Sequence, residues 1–263
     1  ESVTFNKMKK IISWNVNGLR AVHRKGNIQE MFDMKPDILC LQETKSLPEQ
    51  LPPELSSPTG YYPYFHFPTE KKGYSGVAIY SKEKPIKVSR DIGIKKLDQE
   101  GRLIMAEYKD FTLINIYFPN GGGAPERLTY KLDFYDSFLD FINKLHKKQP
   151  NIIFCGDVNV AHKAIDLARP KENETHVGFL PIERAWMDKL VSKGWTDVFR
   201  HFYPDKKDVY TYWDMKTFAR GRNVGWRIDY FFSSQEMLKK IKSMEILDNV
   251  LGSDHCPIEL TLK

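Results

Sequence analysis

The residues of this chain that could do chemistry sit in short polar runs at the ends of apolar ones. Gly252-Ser253-Asp254-His255-Cys256-Pro257 sets an acid beside an imidazole. Trp14-Asn15-Val16-Asn17-Gly18, Leu41-Gln42-Glu43-Thr44-Lys45 and Gly156-Asp157-Val158-Asn159 have the same character. Strands that end this way line up Asn, Asp and Glu along one rim of a sheet, where a rigid scaffold can hold a catalytic constellation. A carboxylate such as Glu43 suits a hard, oxygen-seeking cation, Mg²⁺ for example; the plainer reading is a strand-end salt bridge to Lys45. Asn15 and Asn17 are equally open, because Asn before Gly is a frequent turn residue. Asp157 and Asn159 alternate across Val158, so on an extended chain both face one side. The acid could orient a water there, and the amide could donate to a phosphate oxygen. An imidazole backed by a carboxylate, as His255 could be, stays protonated and stabilises phosphorane-like charge.

Other chemistries are excluded by pattern. The chain has no nucleophile elbow, no Gly-rich phosphate loop of the nucleotide-binding type and no Cys/His cluster with zinc spacing. Gly121-Gly122-Gly123 reads as a flexible turn, with Asn120 its chemically useful neighbour. Cys40, Cys155 and Cys256 each lie in or beside an apolar run and read as buried free thiols. With no long apolar segment, they point to a reducing, intracellular setting and away from a membrane. The 40 Lys and Arg against 34 Asp and Glu leave a net charge of +6, which favours an anionic partner without naming it.

The elements that must position these residues follow from periodicity. Residues 10 to 16, 37 to 42, 76 to 80, 102 to 108, 111 to 118 and 151 to 156 are short and rich in β-branched or aromatic side chains, and predict buried strands. Helical spacing appears over 27 to 35 and over 125 to 147, where Leu128, Leu132, Tyr135, Leu139 and Ile142 share a face. A helix opening at Pro181 runs to 193. Strands near 209 to 213, 227 to 232, 243 to 248 and 257 to 262, with a helix around 235 to 241, complete the chain. Strands scattered among helices, with no linker and no repeat, give an α/β fold: a four-layer sandwich of two stacked mixed β-sheets flanked by helices. Residues 9–263 form one domain in this reading, and 1–8 a disordered tail.

The ordered set of motifs resembles the exonuclease III class of apurinic/apyrimidinic endonucleases, within the endonuclease/exonuclease/phosphatase superfamily that includes deoxyribonuclease I. The resemblance rests on WNVNGLRA (14–21), LQETK (41–45), KKGYSGVAIYSK (71–82), DQEGR (98–102), NIYFPN (115–120), GDVNVAHKAIDLARPKEN (156–173), GFLPIERAW (178–186), NVGWRIDYFF (223–232) and GSDHCPIEL (252–260). It implies a deoxyribonuclease I-like fold with Glu43 as principal metal ligand, Asn15 and Asn17 near the metal and its waters, and Asp254 supporting them. Many relatives carry Asp in place of Asn17, which removes a negative charge from that side. The resemblance further implies that Asp157 positions or deprotonates the attacking water, with Asn159 binding phosphate beside it. Asp229 orients His255, and Tyr117 and Asn120 contact the scissile phosphate or its leaving side. Lys45, Tyr74, Asn173, Arg220, Asn223 and Arg227 would grip the DNA backbone, and Tyr212, Trp226 and Ile228 would wall a pocket for an extruded abasic sugar.

The expected activity is Mg²⁺-dependent hydrolysis, with Mn²⁺ as a substitute, of the phosphodiester 5′ to an abasic site in double-stranded DNA. A 3′-to-5′ exonuclease or 3′-phosphodiesterase activity would accompany it, and incision at uridine or other damaged nucleotides is within the class. The protein is expected to act as a monomer. The rivals are a phosphatase on a small phosphorylated substrate, against which NVGWRIDYFF and GFLPIERAW argue, and a non-catalytic DNA-binding protein, against which the set of Glu43, Asp157, Asn159, Asp229 and His255 argues.

Overall fold

The computed structural model describes residues 8–69 and 71–263, so the expected tail lies outside the described residues except for Met8. In chain order the strands are β1 (Lys9–Asn15), β2 (Ile38–Gln42), β3 (Tyr62–His66), β4 (Val77–Ser81), β5 (Lys87–Ser89), β6 (Leu103–Glu107), β7 (Thr112–Ile116), β8 (Ile152–Asp157), β9 (Thr196–Asp197), β10 (Asp229–Ser233), β11 (Ile241–Ile246) and β12 (Ile258–Leu262). The helices are α1 (Leu19–Arg24), α2 (Asn27–Asp33), α3 (Pro53–Ser56), α4 (Lys95–Asp98), α5 (Pro125–His146), α6 (Pro170–Asn173), α7 (Pro181–Ser192), α8 (Val198–Phe202) and α9 (Gln235–Leu238). Two six-stranded sheets result, ordered β11-β12-β1-β2-β4-β3 and β5-β6-β7-β8-β10-β9. Among the described residues only β1/β2 and β7/β8 pair in parallel, and each is joined by a helical crossover, α1 with α2 and then α5.

Alternation along the strands sorts the core into layers. Ile11, Ile38, Cys40 and Ile79 of the first sheet meet Ile104, Leu113, Ile153, Cys155 and Phe231 of the second. Their sequence neighbours Ile12, Trp14, Leu39, Leu41 and Tyr80 face outward onto Leu19, Val22, Ile28 and Met31 of α1 and α2. Ile114, Ile116, Phe154 and Phe232 face the other way, onto Phe134, Phe138, Trp186 and Leu190 of α5 and α7. These three apolar seams make the four-layer sandwich expected from the sequence. All three cysteines are buried and free. Among the described residues no helix is long and apolar enough to cross a membrane.

Several sequence expectations need correction. No strand forms over 209–213; the segment pairs only at Tyr212, which bridges to Trp226 and His255. Its aromatic residues serve rim packing instead, Tyr210 and Trp213 closing on Ala219 and Cys256. The helix expected over 27–35 is the second of two, because the chain breaks at Gly26, where φ is 80°. Nor is Gly121 part of a loose turn: it is buried, and a Cβ there would lie 3.1 Å from Lys131 Cδ.

Arg227 is the clearest correction. Expected on the DNA surface, it has no exposed surface at all, because two acids distant in sequence claim it. Its Nε donates to Asp166 Oδ1 at 2.9 Å and its Nη2 to Asp197 Oδ2 at 2.6 Å, while Arg200 Nη2 reaches the same Asp166 oxygen at 2.7 Å. Burial would push Asp166 up, but Arg227 and then Arg200 bring it down to about 2. A depressed carboxylate contributes stability that is present above its unfolded pKa and disappears as pH falls from about 4 through about 2. Arg227→Met should therefore lower unfolding free energy in urea at neutral pH by about 3–5 kcal/mol, since it leaves Asp197 without its guanidinium and Asp166 with Arg200 alone. The acid limb of the stability profile should flatten in the variant. A midpoint shift within error, together with weakened DNA binding, would restore Arg227 to the surface role.

Candidate active site

The site forms where the two sheets meet at one rim. Asn15 ends β1, and its register partner Gln42 ends the parallel neighbour β2 one residue before Glu43. In the other sheet Asp157 ends β8 directly opposite Asp229, the first residue of β10. Gly156 makes this approach feasible: its φ is +137°, and a Cβ would stand 1.9 Å from the Ile116 carbonyl oxygen. The Asn15 amide nitrogen joins the sheets, donating to Glu43 Oε1 and to Asp157 Oδ2, each at 2.9 Å. Four non-glycine residues with left-handed φ crowd this rim, Asn17, Glu43, Lys45 and Asn159, at 45° to 57°. Each such residue costs about 1–3 kcal/mol, and strain of this kind collects at functional sites.

His255 enters after β11 and is fixed from several sides. Trp14 Nε1 donates to its carbonyl at 3.0 Å, and its own N–H donates to Ser253 Oγ at 3.2 Å. Its Nδ1 bonds Asp229 Oδ2 at 2.8 Å, and its Nε2 lies 3.9 Å from Asp157 Oδ2. Burial by itself would lower the imidazole, yet Asp229 and then Asp157 raise it to about 10, so it is a cation at neutral pH. Asp157 is pushed up to about 8 by burial, with Asp229 and Glu43 adding to that and His255 opposing it. Glu43 goes the other way: burial raises it, but Lys45, whose Nζ lies 2.8 Å from Oε2, and the Asn15 amide leave it below the ordinary carboxylate range.

Glu43, Asp157 and His255 each offer a ligand atom, and these atoms lie within 4.8 Å of one another. The donor set fits a hard cation on its oxygen side, where the Lys45 ammonium already stands against Glu43. His255 fits less well as a ligand, because a protonated imidazole has no lone pair to give. Asn17 bridges cation and acid, accepting from Lys45 Nζ through Oδ1 and donating to both Asp254 oxygens at 3.1 Å.

Asp157 and Asn159 do come together, by a turn instead of strand alternation. The strand stops at Asp157, and Asn159 curls back so that its backbone N–H donates to Asp157 Oδ1 at 2.8 Å. Its Nδ2 donates to the Phe118 carbonyl at 2.9 Å, leaving a second N–H to offer. Tyr117 is buried beneath the Arg102 guanidinium, 4.8 Å from its ring, and burial followed by the nearby Glu43 holds its hydroxyl in the protonated form.

A cleft of about 380 Å³ opens over these groups. Glu43, Asp157, Asn159 and His255 form its polar side, and Val177, Tyr212, Trp226 and Ile228 its apolar side. Tyr212 and Trp226 exchange backbone hydrogen bonds at 2.9 Å, and the Tyr212 ring lies 5.0 Å from the His255 ring. Asn120, Asn173 and Asp254 also line the cleft, Asn120 accepting from Gly122 N–H and Asn173 donating to the Arg169 carbonyl.

Three expected DNA contacts stand back from it. Arg220 donates to the carbonyls of Asp248, Val250 and Ser253 and covers the Trp213 ring at 4.6 Å, clamping a loop. Both ends of the Asn223 amide are engaged, with Trp213 Nε1 and the Asp208 carbonyl. Tyr74 accepts from Arg102 Nη2 at 2.7 Å. Sequence reasoning missed Gly178 and Asp214 in the cleft, and Arg102 behind it, although GFLPIERAW and DQEGR carry Gly178 and Arg102.

The matching family model is described as the endonuclease/exonuclease/phosphatase family and spans residues 12–255. The chain belongs to that family. Among curated proteins it is 42% identical over 254 residues to an exodeoxyribonuclease of Bacillus subtilis, covering 96% of this chain and 99% of that one. It is 46% identical over 251 residues to recombination repair protein 1 of Drosophila melanogaster, covering 95% of this chain but only 36% of that longer protein. Among solved structures, an AP endonuclease from Archaeoglobus fulgidus superposes with a TM-score of 0.85 at 31% identity, over 97% of this chain and 99% of that one.

The charge arrangement can be tested without any substrate. Asp229→Asn should drop the His255 pKa, read by NMR titration, from about 10 toward the ordinary imidazole range while an amide oxygen still receives Nδ1–H. A raised histidine contributes stability that is complete below its unfolded pKa, near 6.5, and is lost as pH rises through about 10. The variant should lack that alkaline limb. An unchanged titration would assign the shift to Asp157 alone.

Proposed function

We propose that this protein is a DNA repair nuclease that hydrolyses the phosphodiester 5′ to an abasic site, leaving a 3′-hydroxyl and a 5′-deoxyribose phosphate. The observation that carries the reading is the joining of an acid–imidazolium pair and an apolar-walled cleft of sugar size over one rim. The names of the relatives, an exodeoxyribonuclease and an AP endonuclease, support it. The same chemistry on a terminal phosphodiester is a 3′-to-5′ exonuclease or 3′-phosphodiesterase activity, and uridine or other damaged nucleotides fall within the range to be tested. The protein works inside cells, in keeping with three free thiols, and acts as a monomer in this reading.

Asp157 holds the attacking water and, in its ionised form, accepts its proton; a pKa raised to about 8 makes that carboxylate a stronger base than an exposed acid and leaves only a fraction of it ionised at neutral pH. Asp229 fixes the His255 ring, and the imidazolium N–H with the free N–H of Asn159 faces the charge that grows on the phosphate oxygens. Tyr117 and Asn120 border the path of the scissile group. Glu43, supported by Asn15, Asn17 and Asp254, would hold Mg²⁺, or Mn²⁺ in its place. Such an ion supplies charge neutralisation at the phosphate and leaving oxygen. Lys45 and Asn173 contact the flanking backbone. Tyr212, Trp226 and Ile228 receive the extruded sugar, for which flipping is least costly where no base pair must be broken.

The deciding assay is a duplex with one abasic analogue, incubated with Mg²⁺ or with EDTA. Incision in Mg²⁺ alone is expected; binding without incision would favour a silent DNA-binding protein, and release of phosphate from small substrates only would favour a phosphatase. In the same assay Asp157→Asn should slow single-turnover incision by about 10²–10⁴-fold while duplex affinity holds. A rate near wild type would remove Asp157 from the chemistry.

Trp226 tests recognition separately. Trp226→Ala widens the cleft and leaves Glu43, Asp157 and His255 in place, so the ratio of incision at abasic over uridine-containing duplex should fall, in a variant shown to be folded by circular dichroism. An unchanged ratio would make Trp226 packing alone.

A further inference from the structure

Behind the site, and used by none of the chemistry above, lies a charged pair with no contact with solvent. Lys131 on α5 and Glu183 on α7 are both 0% exposed. The Lys131 ammonium bonds Glu183 Oε1 and donates to the Asn159 carbonyl at 2.7 Å. The other Glu183 oxygen accepts the Gly178 and Leu180 N–H groups at 2.6 and 3.0 Å. One pair thus grips two adjacent chain segments that both line the cleft. The Asn159 segment carries the phosphate-facing amide. The Gly178 segment supports Trp226: a Cβ on Gly178, whose φ is +96°, would come within 3.3 Å of Trp226 Cζ3 and 3.5 Å of the Asn159 carbonyl. The two segments are stitched once more where Ala161 N–H donates to the Gly178 carbonyl at 2.8 Å.

Stability is a poor reason for such a pair. Two ions taken wholly out of water lose about as much hydration as they recover in attraction, and apolar or neutral residues of similar volume hold a core equally well. What ions with directional partners do supply is one arrangement out of several, here of the Asn159 carbonyl and the Gly178 and Leu180 N–H groups, which the other ties of these segments do not reach. The Asn159 backbone in particular sits at φ 57°, a conformation that needs outside support in a residue other than glycine.

We propose that Lys131 and Glu183 are positioning residues that set the distance between the Asn159 amide and the Gly178–Trp226 wall, and so couple the rate of the chemical step to lesion recognition. The proposal rests on the abasic-site reading above. Lys131 acts through the Asn159 carbonyl and Glu183 through the Gly178 and Leu180 amides; neither touches the cleft.

The informative variant is the neutral double substitution Lys131→Met with Glu183→Gln. Met fills the space of the lysine stem, and Gln keeps an oxygen for the Gly178 and Leu180 N–H groups, but the Asn159 carbonyl loses its donor. With the urea midpoint held near that of the wild type, single-turnover incision at an abasic duplex should fall by about 10²-fold, the loss that follows a displacement of about 1 Å. Duplex affinity should stay within about threefold. Lys131→Met with Glu183→Leu also frees the Gly178 segment, so the preference for abasic over uridine-containing duplex should shrink in that variant and hold in the first. Gly178 amide hydrogen exchange, followed by NMR, should speed up only in the second. A folded neutral variant that incises at the wild-type rate overturns the proposal. So does failure of both doubles to fold, because the pair would then be holding the fold together. Wild-type protein run alongside separates the two hypotheses: if it leaves the abasic duplex intact the proposed function fails, and the hydrogen-exchange difference still reports on the pair.

Discussion

One amide nitrogen sets the terms for this molecule. Asn15 reaches from the end of β1 to Glu43 in its own sheet and to Asp157 in the other, so the sheets cannot slide at this rim without breaking a buried hydrogen bond. Behind it a second buried amide does similar work deeper in the core. Gln42 Nε2 donates to Ser13 Oγ at 3.0 Å and to Asn115 Oδ1 at 2.8 Å, and Asn115 in β7 donates in turn to the Leu41 and Ala78 carbonyls of the opposite sheet. Polar bonds between stacked sheets contribute modest net stability, but leaving one unmade costs more, so they select one register of sheet on sheet. The apolar seam between the sheets could tolerate small shifts; this polar chain cannot.

The same constraint gathers charge. Glu43, Asp157 and Asp229 are acids held close together at low exposure, and among the described residues the cations in ion-pair contact with them are His255 and Lys45. The imbalance appears in opposite directions on neighbours: Asp157 is raised, because it is buried among acids, and Glu43 is lowered, because Lys45 is against it. A site built this way is unfinished with protein groups alone. Under the proposed function one acid, Asp157 once ionised, takes a proton and another, Glu43, would hold a cation, which is the division of labour that hydrolysis of a phosphodiester needs.

What the sequence showed of this depended on range. The fold was legible because alternation in β2, β4, β7 and β8 and the apolar face of α5 are local patterns, and three seams follow from them. Glu43, Asp157 and His255 stood out because each ends or follows an apolar run. The failures share another cause. Arg227 looks like a surface cation until Asp166 and Asp197, 61 and 30 residues away, are brought to it. Lys131 looks like the polar side of an amphipathic helix, yet it is buried with Phe134, Phe138 and Ile142, turning the helix face away from Leu128 and Leu132, which stay partly exposed. Burial of a charge is decided by its partner, and partners distant in sequence leave no local trace. The strand expected at 209–213 failed differently: aromatic content signals packing, and packing on a rim resembles a ladder in composition alone.

An exterior of net charge +6 around an acidic rim poses an electrostatic problem that bears on the proposed substrate. Long-range attraction draws a polyanion toward the protein, but over the last few ångströms a phosphate meets the ionised Glu43 head on. Lys45 and His255⁺ answer part of that repulsion, and each is already engaged with an acid. An arriving phosphate therefore competes with Glu43 for Lys45 unless a divalent cation takes the lysine's place. Were a divalent cation held by Glu43, it would supply more positive charge than the ammonium, and Lys45 would be free to face phosphate. Under the proposed function cation and substrate would assist each other's binding, and the Asn17 bridge between Lys45 and Asp254 would be the part of the site to rearrange.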